Sequence, residues 1–162
     1  HSFPTRRSSD LVTPGRAAAA VDAALAGGAP AVLRLTRLPA LAQTAYDELL
    51  WACDLNFVRG EDSLVRALWA GRPLLWNIYP QDDGAHRAKL LAFLDWLRAP
   101  ASLRSFSLTW NGLSGDALPA LDGALLRNWA AAAAAASAAA WAQPDLCGQL
   151  MAFAGACART TG

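Results

Sequence analysis

Between Asp54 and Leu97 the sequence changes period repeatedly, and only a few residues separate each change from the next. "DLNFV", Asp54 to Val58, reads as a short strand. Asp62 to Ala70 has helical spacing and is stopped by Gly71 and Pro73. "LLWNIY", Leu74 to Tyr79, is apolar throughout except at Asn77. The turn "PQDDG" follows, and then Arg87 to Leu97, with Leu90, Leu91, Leu94 and Leu97 on one side of a helix. A strand with no polar face needs cover on both sides, and helices between such strands supply it. This alternation therefore predicts an α/β fold built on a parallel sheet.

The same rhythm extends upstream. Pro14 to Ala26 reads as a helix ended by Gly27 and Gly28. "AVLRLTRL", Ala31 to Leu38, alternates like a strand and is broken by Pro39. Gln43 to Ala52 has helical spacing through Tyr46, Leu49 and Leu50. After Pro100 only helices are expected, over Ser102–Trp110, Ala117–Trp141 and Pro144–Ala158. The alanine tract 130–136 is low complexity and reads as a solvated or loosely packed helix.

Composition narrows the class. At 162 residues, 54% hydrophobic and 17% charged, the chain can build a real core. A formal net charge of +1 offers no field for nucleic acid or anionic lipid. No stretch supplies the ~20 apolar residues of a membrane span. The longest candidate, Trp129 to Trp141, is mostly alanine and contains Ser137. Cys53, Cys147 and Cys157 share no metal-ligand spacing and read as reduced, buried thiols of a cytoplasmic protein.

The first eleven residues, "HSFPTRRSSDL", are polar and aperiodic and lack the apolar run of a signal peptide. Codon by codon they resemble the translation of a common sequencing adapter. Residues 1–11 are therefore expected to be a non-native tail, with coding sequence missing upstream of Val12.

Candidate chemistry concentrates at one turn. In open parallel α/β sheets, ligands sit beyond the carboxyl ends of the strands. "RGEDS", Arg59 to Ser63, stands at such an end and opens a helix. A helix start presents unpaired N–H groups and a positive dipole end, both suited to phosphate. Arg59 adds a two-pronged grip, Ser63 a hydroxyl donor, and Gly60 lets backbone come close. Glu61 and Asp62 do not suit an anion; they would cap helix N–H groups or bind a sugar hydroxyl. The plainer alternative is a helix cap with a surface ion pair.

Other residues expected on this side also carry two readings. Tyr46 can stack on a base and Gln43 can read its edge, or Tyr46 is simply a core aromatic. The Tyr79 hydroxyl can reach a phosphate, or it ends a core strand. His86 reads as structural rather than catalytic. Asp82 and Asp83 read as helix caps rather than a metal motif. There is no GxGxxG fingerprint, no nucleophile elbow and no metal cluster.

The longer string is more specific than any of these motifs. "AYDELLWACDLNFVRGEDSLVRALWAGRPLLWNIYPQDDGAHRAKLLAFLDWL", Ala45 to Leu97, resembles the bacterial elongation factor P arginine rhamnosyltransferases. The match is closest in "CDLNFVRGEDS", "WAGRP" and "IYPQDDGAH", and continues more weakly in "PDLCGQLMAFA". The resemblance implies a two-lobed glycosyltransferase-B fold whose C-terminal, Rossmann-like lobe binds dTDP-β-L-rhamnose. It implies inverting transfer of rhamnose to an arginine of elongation factor P, without a metal or other cofactor. It puts Gln43 and Tyr46 at the thymidine, and Arg59, Asp62, Ser63 and Tyr79 around the nucleotide and diphosphate. Glu61 would lie close to the reacting sugar as the catalytic residue of this lobe. The acceptor-side base would be an aspartate of the N-terminal lobe.

On this reading residues 12–115 form the nucleotide-sugar lobe. Residues 116–162 are helices that pack on it and toward an N-terminal lobe, without which the chain is expected to be inactive. Three positions depart from the family pattern: Ala40 replaces an aromatic, Leu68 a glutamine and Asn77 a histidine. The competing readings are a donor lobe of another nucleotide-sugar transferase or epimerase, and a non-enzymatic Rossmann-like interaction module.

Overall fold

A computed structural model describes residues 10–28 and 34–160, with side chains through Ala156. The expected adapter residues 1–9, the start of the expected strand at Ala31 to Leu33, and the Cys157 side chain lie outside the described set. The chain divides into two compact units, residues 1–46 and 47–162.

In the first unit, β1 (Asp10–Val12) and β2 (Leu35–Arg37) pair in parallel around helix α1 (Arg16–Leu25). Asp10 stands opposite Leu35 and Val12 opposite Arg37. The ladder is closed by Asp10 N–H on the Arg34 carbonyl at 2.9 Å and by Leu38 N–H on the Val12 carbonyl at 2.9 Å. Asp10 and Leu11 thus lie in a strand where the sequence suggested only a tail. Arg37 and Asp22 form an ion pair. Helix α2 (Gln43–Ala52) begins here and has the expected boundaries.

The second unit contains β3 (Asn56–Val58), α3 (Glu61–Ala70), β4 (Leu74–Trp76), α4 (Ala85–Trp96), α5 (Ala101–Trp110), α6 (Gly123–Trp141) and α7 (Leu146–Thr160). Strands β3 and β4 are parallel, with Asn56 opposite Leu74 and Val58 opposite Trp76. The α/β class and the parallel pairing agree with the sequence. Among the described residues each unit holds one two-stranded ladder.

Both strands of the second unit are shorter than their apolar runs. The Asn77 N–H still reaches the Val58 carbonyl at 2.8 Å, but Ile78 N–H turns to the Asn111 side chain at 3.0 Å. Asn111 also donates to the Trp76 and Ser107 carbonyls, at 2.9 and 2.8 Å. One amide therefore ends β4 and the last turn of α5 together. Nor is β3 covered on both faces: Phe57 is 47% exposed and rests against Trp110, ring centres 4.8 Å apart.

The core lies where β4, α5 and α6 meet. Leu75, Leu97, Leu103, Phe106, Trp129 and Ala136 form its buried cluster, and Leu68 packs against it. Trp129 is fully buried, meets Phe106 edge to face, and donates its indole N–H to the Ser102 hydroxyl at 3.0 Å. That bond removes the penalty of an unpaired donor in the core.

The alanine tract is not a loose helix. Ala133, Ala136 and Ser137 are buried, and α6 lies against α3. The Ser137 hydroxyl donates to the Trp69 carbonyl at 3.2 Å. A Cβ added at Gly71, whose φ is +66°, would stand 3.3 Å from Ser137. Small side chains are what let the two backbones approach this closely. Helix α6 also starts later than its apolar pattern, because Asp122 accepts the Leu125 N–H at 2.7 Å and fixes the helix start there. Helix α4 begins at Ala85, with Asp83 accepting that residue's N–H at 3.0 Å. Among the described residues no helix is long and apolar enough to cross a membrane.

Candidate functional site

The parallel pairing of β3 and β4 brings the residues after both strands to one end of the ladder. Arg59 leaves β3 there, and Tyr79 follows β4. The Arg59 guanidinium carbon lies 4.7 Å from the Tyr79 ring centre. The Trp76 indole N–H donates to the Arg59 carbonyl at 3.0 Å, which pins the backbone just before the turn. The Arg59 Nε is shielded from solvent and has no hydrogen-bond partner, and among the described residues Arg59 forms no ion pair. The simple surface ion pair weighed for Arg59 is therefore not formed.

Gly60 is the N-cap of α3, in an extended conformation with φ −72° and ψ 153°. Any residue can adopt that backbone, so conformation does not require glycine here. A Cβ at Gly60 would meet open space. No side chain caps α3, so the carboxylate caps considered for Glu61 and Asp62 do not form. The first N–H groups of α3 have no intrahelical acceptors, and the helix dipole adds positive potential at the same point. Glu61 is exposed on this first turn and Ser63 is half-buried two positions later.

Asp62 is engaged elsewhere. It accepts the Arg66 Nε–H at 3.1 Å, one helical turn on. Arg66 also directs one terminal nitrogen at both oxygens of Asp47, at 2.8 and 2.9 Å. These bonds, Asp47 first and Asp62 second, hold the Arg66 guanidinium above its usual range. Arg66 was not singled out in the sequence, where its i,i+4 spacing from Asp62 was the only visible sign of the network.

Gln43 and Tyr46 lie one turn apart on α2, in the first unit; Gln43 is exposed and Tyr46 half-buried. The His86 Nδ1 accepts the Gln81 N–H at 3.1 Å and closes the turn before α4. The Cys53 thiol is half-buried and pushed up by burial and by the Asp54 charge. Cys147 is exposed, against the expectation that it would be buried. It sits on α7, where Leu146 and Leu150 are exposed as well. Among the described residues no group of three His, Cys, Asp or Glu side chains is placed to hold a metal ion.

An uncapped helix start beside an unpaired arginine has the polarity that suits an anion. The sequence model of the Elongation-Factor P (EF-P) rhamnosyltransferase EarP family matches residues 5–155. The chain belongs to this family. The EarP match includes both units and every candidate site residue. Among curated relatives, a protein-arginine rhamnosyltransferase of Pseudomonas aeruginosa is 59% identical over 92 residues, 51% of this chain and 24% of the relative. One from Pseudomonas putida is 51% identical over 94 residues, 58% of this chain and 21% of the relative. One from Neisseria meningitidis is 49% identical over 65 residues, 40% of this chain and 17% of the relative.

The fold is similar to a solved structure from work on EarP-mediated arginine glycosylation of translation elongation factor EF-P. The TM-score is 0.64 at 34% identity, over 88% of this chain and 50% of that one. The matched stretches thus span a quarter or less of the curated EarP relatives and half of the solved chain.

Proposed function

We propose that this chain is the donor-binding part of an inverting glycosyltransferase of the B fold. Its full-length form would transfer rhamnose from dTDP-β-L-rhamnose to an arginine of elongation factor P. The observation that carries this reading is Arg59: an unpaired guanidinium immediately before an uncapped helix start. Family membership supplies the chemical class.

In such a transfer, a nitrogen of the acceptor guanidino group forms a bond to the anomeric carbon as the bond from that carbon to the diphosphate oxygen breaks. Negative charge then grows on the leaving diphosphate. The α3 N–H groups, the Arg59 fork and the Ser63 and Tyr79 hydroxyls would stabilise that charge, and no metal or other cofactor is then required. Glu61, exposed on the first turn, would face the sugar as the catalytic residue of this half. Asp62 would hydrogen-bond the nucleotide. Gln43 and Tyr46 would read the thymine; for these two the support is the resemblance alone. The proton released by the acceptor nitrogen goes to a base outside this chain, proposed to be an aspartate of an N-terminal lobe. Residues 12–115 would form the donor lobe and 116–162 the helices that pack on it and toward that N-terminal lobe. The protein would work in the cytoplasm, where elongation factor P acts, with neither nucleic acid nor membrane as a partner.

The test is a melting series. The chain should gain several degrees with saturating dTDP, gain less with UDP, and gain nothing with NAD. Arg59→Ala should abolish the dTDP shift. A wild-type chain indifferent to dTDP would defeat this reading, and a preference for UDP would redirect it to another nucleotide-sugar enzyme. The chain alone should not modify elongation factor P.

A further inference from the structure

Two carboxylates in the first turn of α3 pose an electrostatic problem, because that turn is the proposed seat of a diphosphate. Acidic side chains in the first turn of a helix are drawn to its positive end, where they can fold back onto its free N–H groups. Asp62 does not, and α3 has no side-chain cap. Its carboxylate instead meets the Arg66 Nε at 3.1 Å. Arg66 is itself held from the far side, where one terminal nitrogen bonds both Asp47 oxygens at 2.8 and 2.9 Å. The Arg66 and Asp47 side chains are only 23% and 30% exposed, whereas Asp62 is 79% exposed. The anchored end is thus Asp47–Arg66, and the end whose orientation depends on it is Asp62.

We propose that Arg66 is a positioning residue of the donor site: clamped by Asp47, it draws the Asp62 carboxylate back along α3, offsets its charge, and keeps the helix start open to the donor diphosphate. This rests on the donor-site reading above. With Arg66 gone, Asp62 is free to turn onto the N–H groups of its own helix end, and the donor meets a capped and more negative site.

A double-mutant cycle read by dTDP titration calorimetry tests the device. Arg66→Met should weaken dTDP about tenfold, the scale of one charge-assisted hydrogen bond. In an Asp62→Ala background, which lacks the nucleotide hydrogen bond proposed for Asp62 and starts from a weaker affinity, Arg66→Met should cost almost nothing more. A merely structural arginine would cost the same in both backgrounds, and that additive result overturns the proposal. If Arg66→Met does not fold, Arg66→Lys takes its place; it keeps the cation but not the fork that spans both carboxylates. It should show a smaller loss with the same dependence on Asp62, and an additive Lys result is equally fatal. A wild-type chain that ignores dTDP removes the donor-site reading and this proposal together. Wild-type binding with additive losses removes only this proposal.

Discussion

Arg59 and Tyr79 follow different strands, yet the guanidinium carbon of one lies 4.7 Å from the ring centre of the other. Parallel pairing of β3 and β4 brings them together, and the Trp76-to-Arg59 hydrogen bond fixes the spacing. The ring orients the cation without neutralising it, so the positive charge remains available to a ligand.

Tyr79→Phe keeps the ring and loses the hydroxyl, whereas Tyr79→Leu loses both. Removing the ring face should cost roughly threefold in dTDP affinity beyond the loss of the hydroxyl, from a partly exposed cation–π contact of about 0.5–1 kcal/mol. Calorimetric titration of the two variants gives the comparison. Equal losses would mean that the ring does nothing for Arg59.

The alanine helix offers a prediction that a loosely packed reading does not make. Ala136 is 7% exposed inside the core cluster, whereas Ala138 is exposed. Ala136→Leu should destabilise by about 1–3 kcal/mol through overpacking. Ala138→Leu should stay within about 0.5 kcal/mol of the parent. Urea midpoints at constant slope measure both; similar values for the two sites would contradict the packing of α6 on α3.

What the sequence disclosed follows from where the information lies. Helices α2 and α3 were readable to within a residue, because leucine spacing and the Gly71–Pro73 stop are local signals. Parallel pairing was readable from apolar runs separated by helices. The exposure of Phe57 was not, because cover on a sheet face depends on elements far along the chain. Burial of the alanine tract was equally hidden, since alanine is compatible with either environment and the deciding partners, Trp69 and Gly71, lie more than sixty residues upstream. At the site, RGEDS was conspicuous, but nothing local showed that Asp47, nineteen positions before Arg66, would anchor it.

Arg98 is the non-glycine residue with positive φ among the described residues, at 50°. It ends α4, and the next residue, Ala99, donates back to the Leu94 carbonyl at 2.9 Å. A left-handed residue at this position carries a cost that glycine avoids. Arg98→Gly should therefore stabilise the chain by about 1 kcal/mol in chemical denaturation. A loss of stability would show that the arginine side chain matters more than its backbone.

The two described thiols should behave differently. Cys147 is exposed, while burial, and then the Asp54 charge, push the Cys53 thiol up. Alkylation near neutral pH, mapped by peptide mass spectrometry, should therefore label Cys147 well before Cys53. Below the ordinary thiol range both folded and unfolded Cys53 are protonated, and its contribution is fully present. Above that range the unfolded thiol ionises first, so stability falls as pH rises. A Cys53→Ala variant should show a shallower alkaline decline; an unchanged slope would assign the decline to other groups.

The bond from the Trp76 indole to the Arg59 carbonyl also gives the turn an optical handle. Indole emission responds to the electric field across its two rings, and here the ring is bonded through its N–H to the peptide preceding the helix start. Trp76 is 7% exposed, with Phe93 edge-on to it at 5.5 Å, so bulk water contributes little to its environment. In a variant whose other tryptophans are replaced, its colour would register charge arriving beside Arg59 directly, with no label attached.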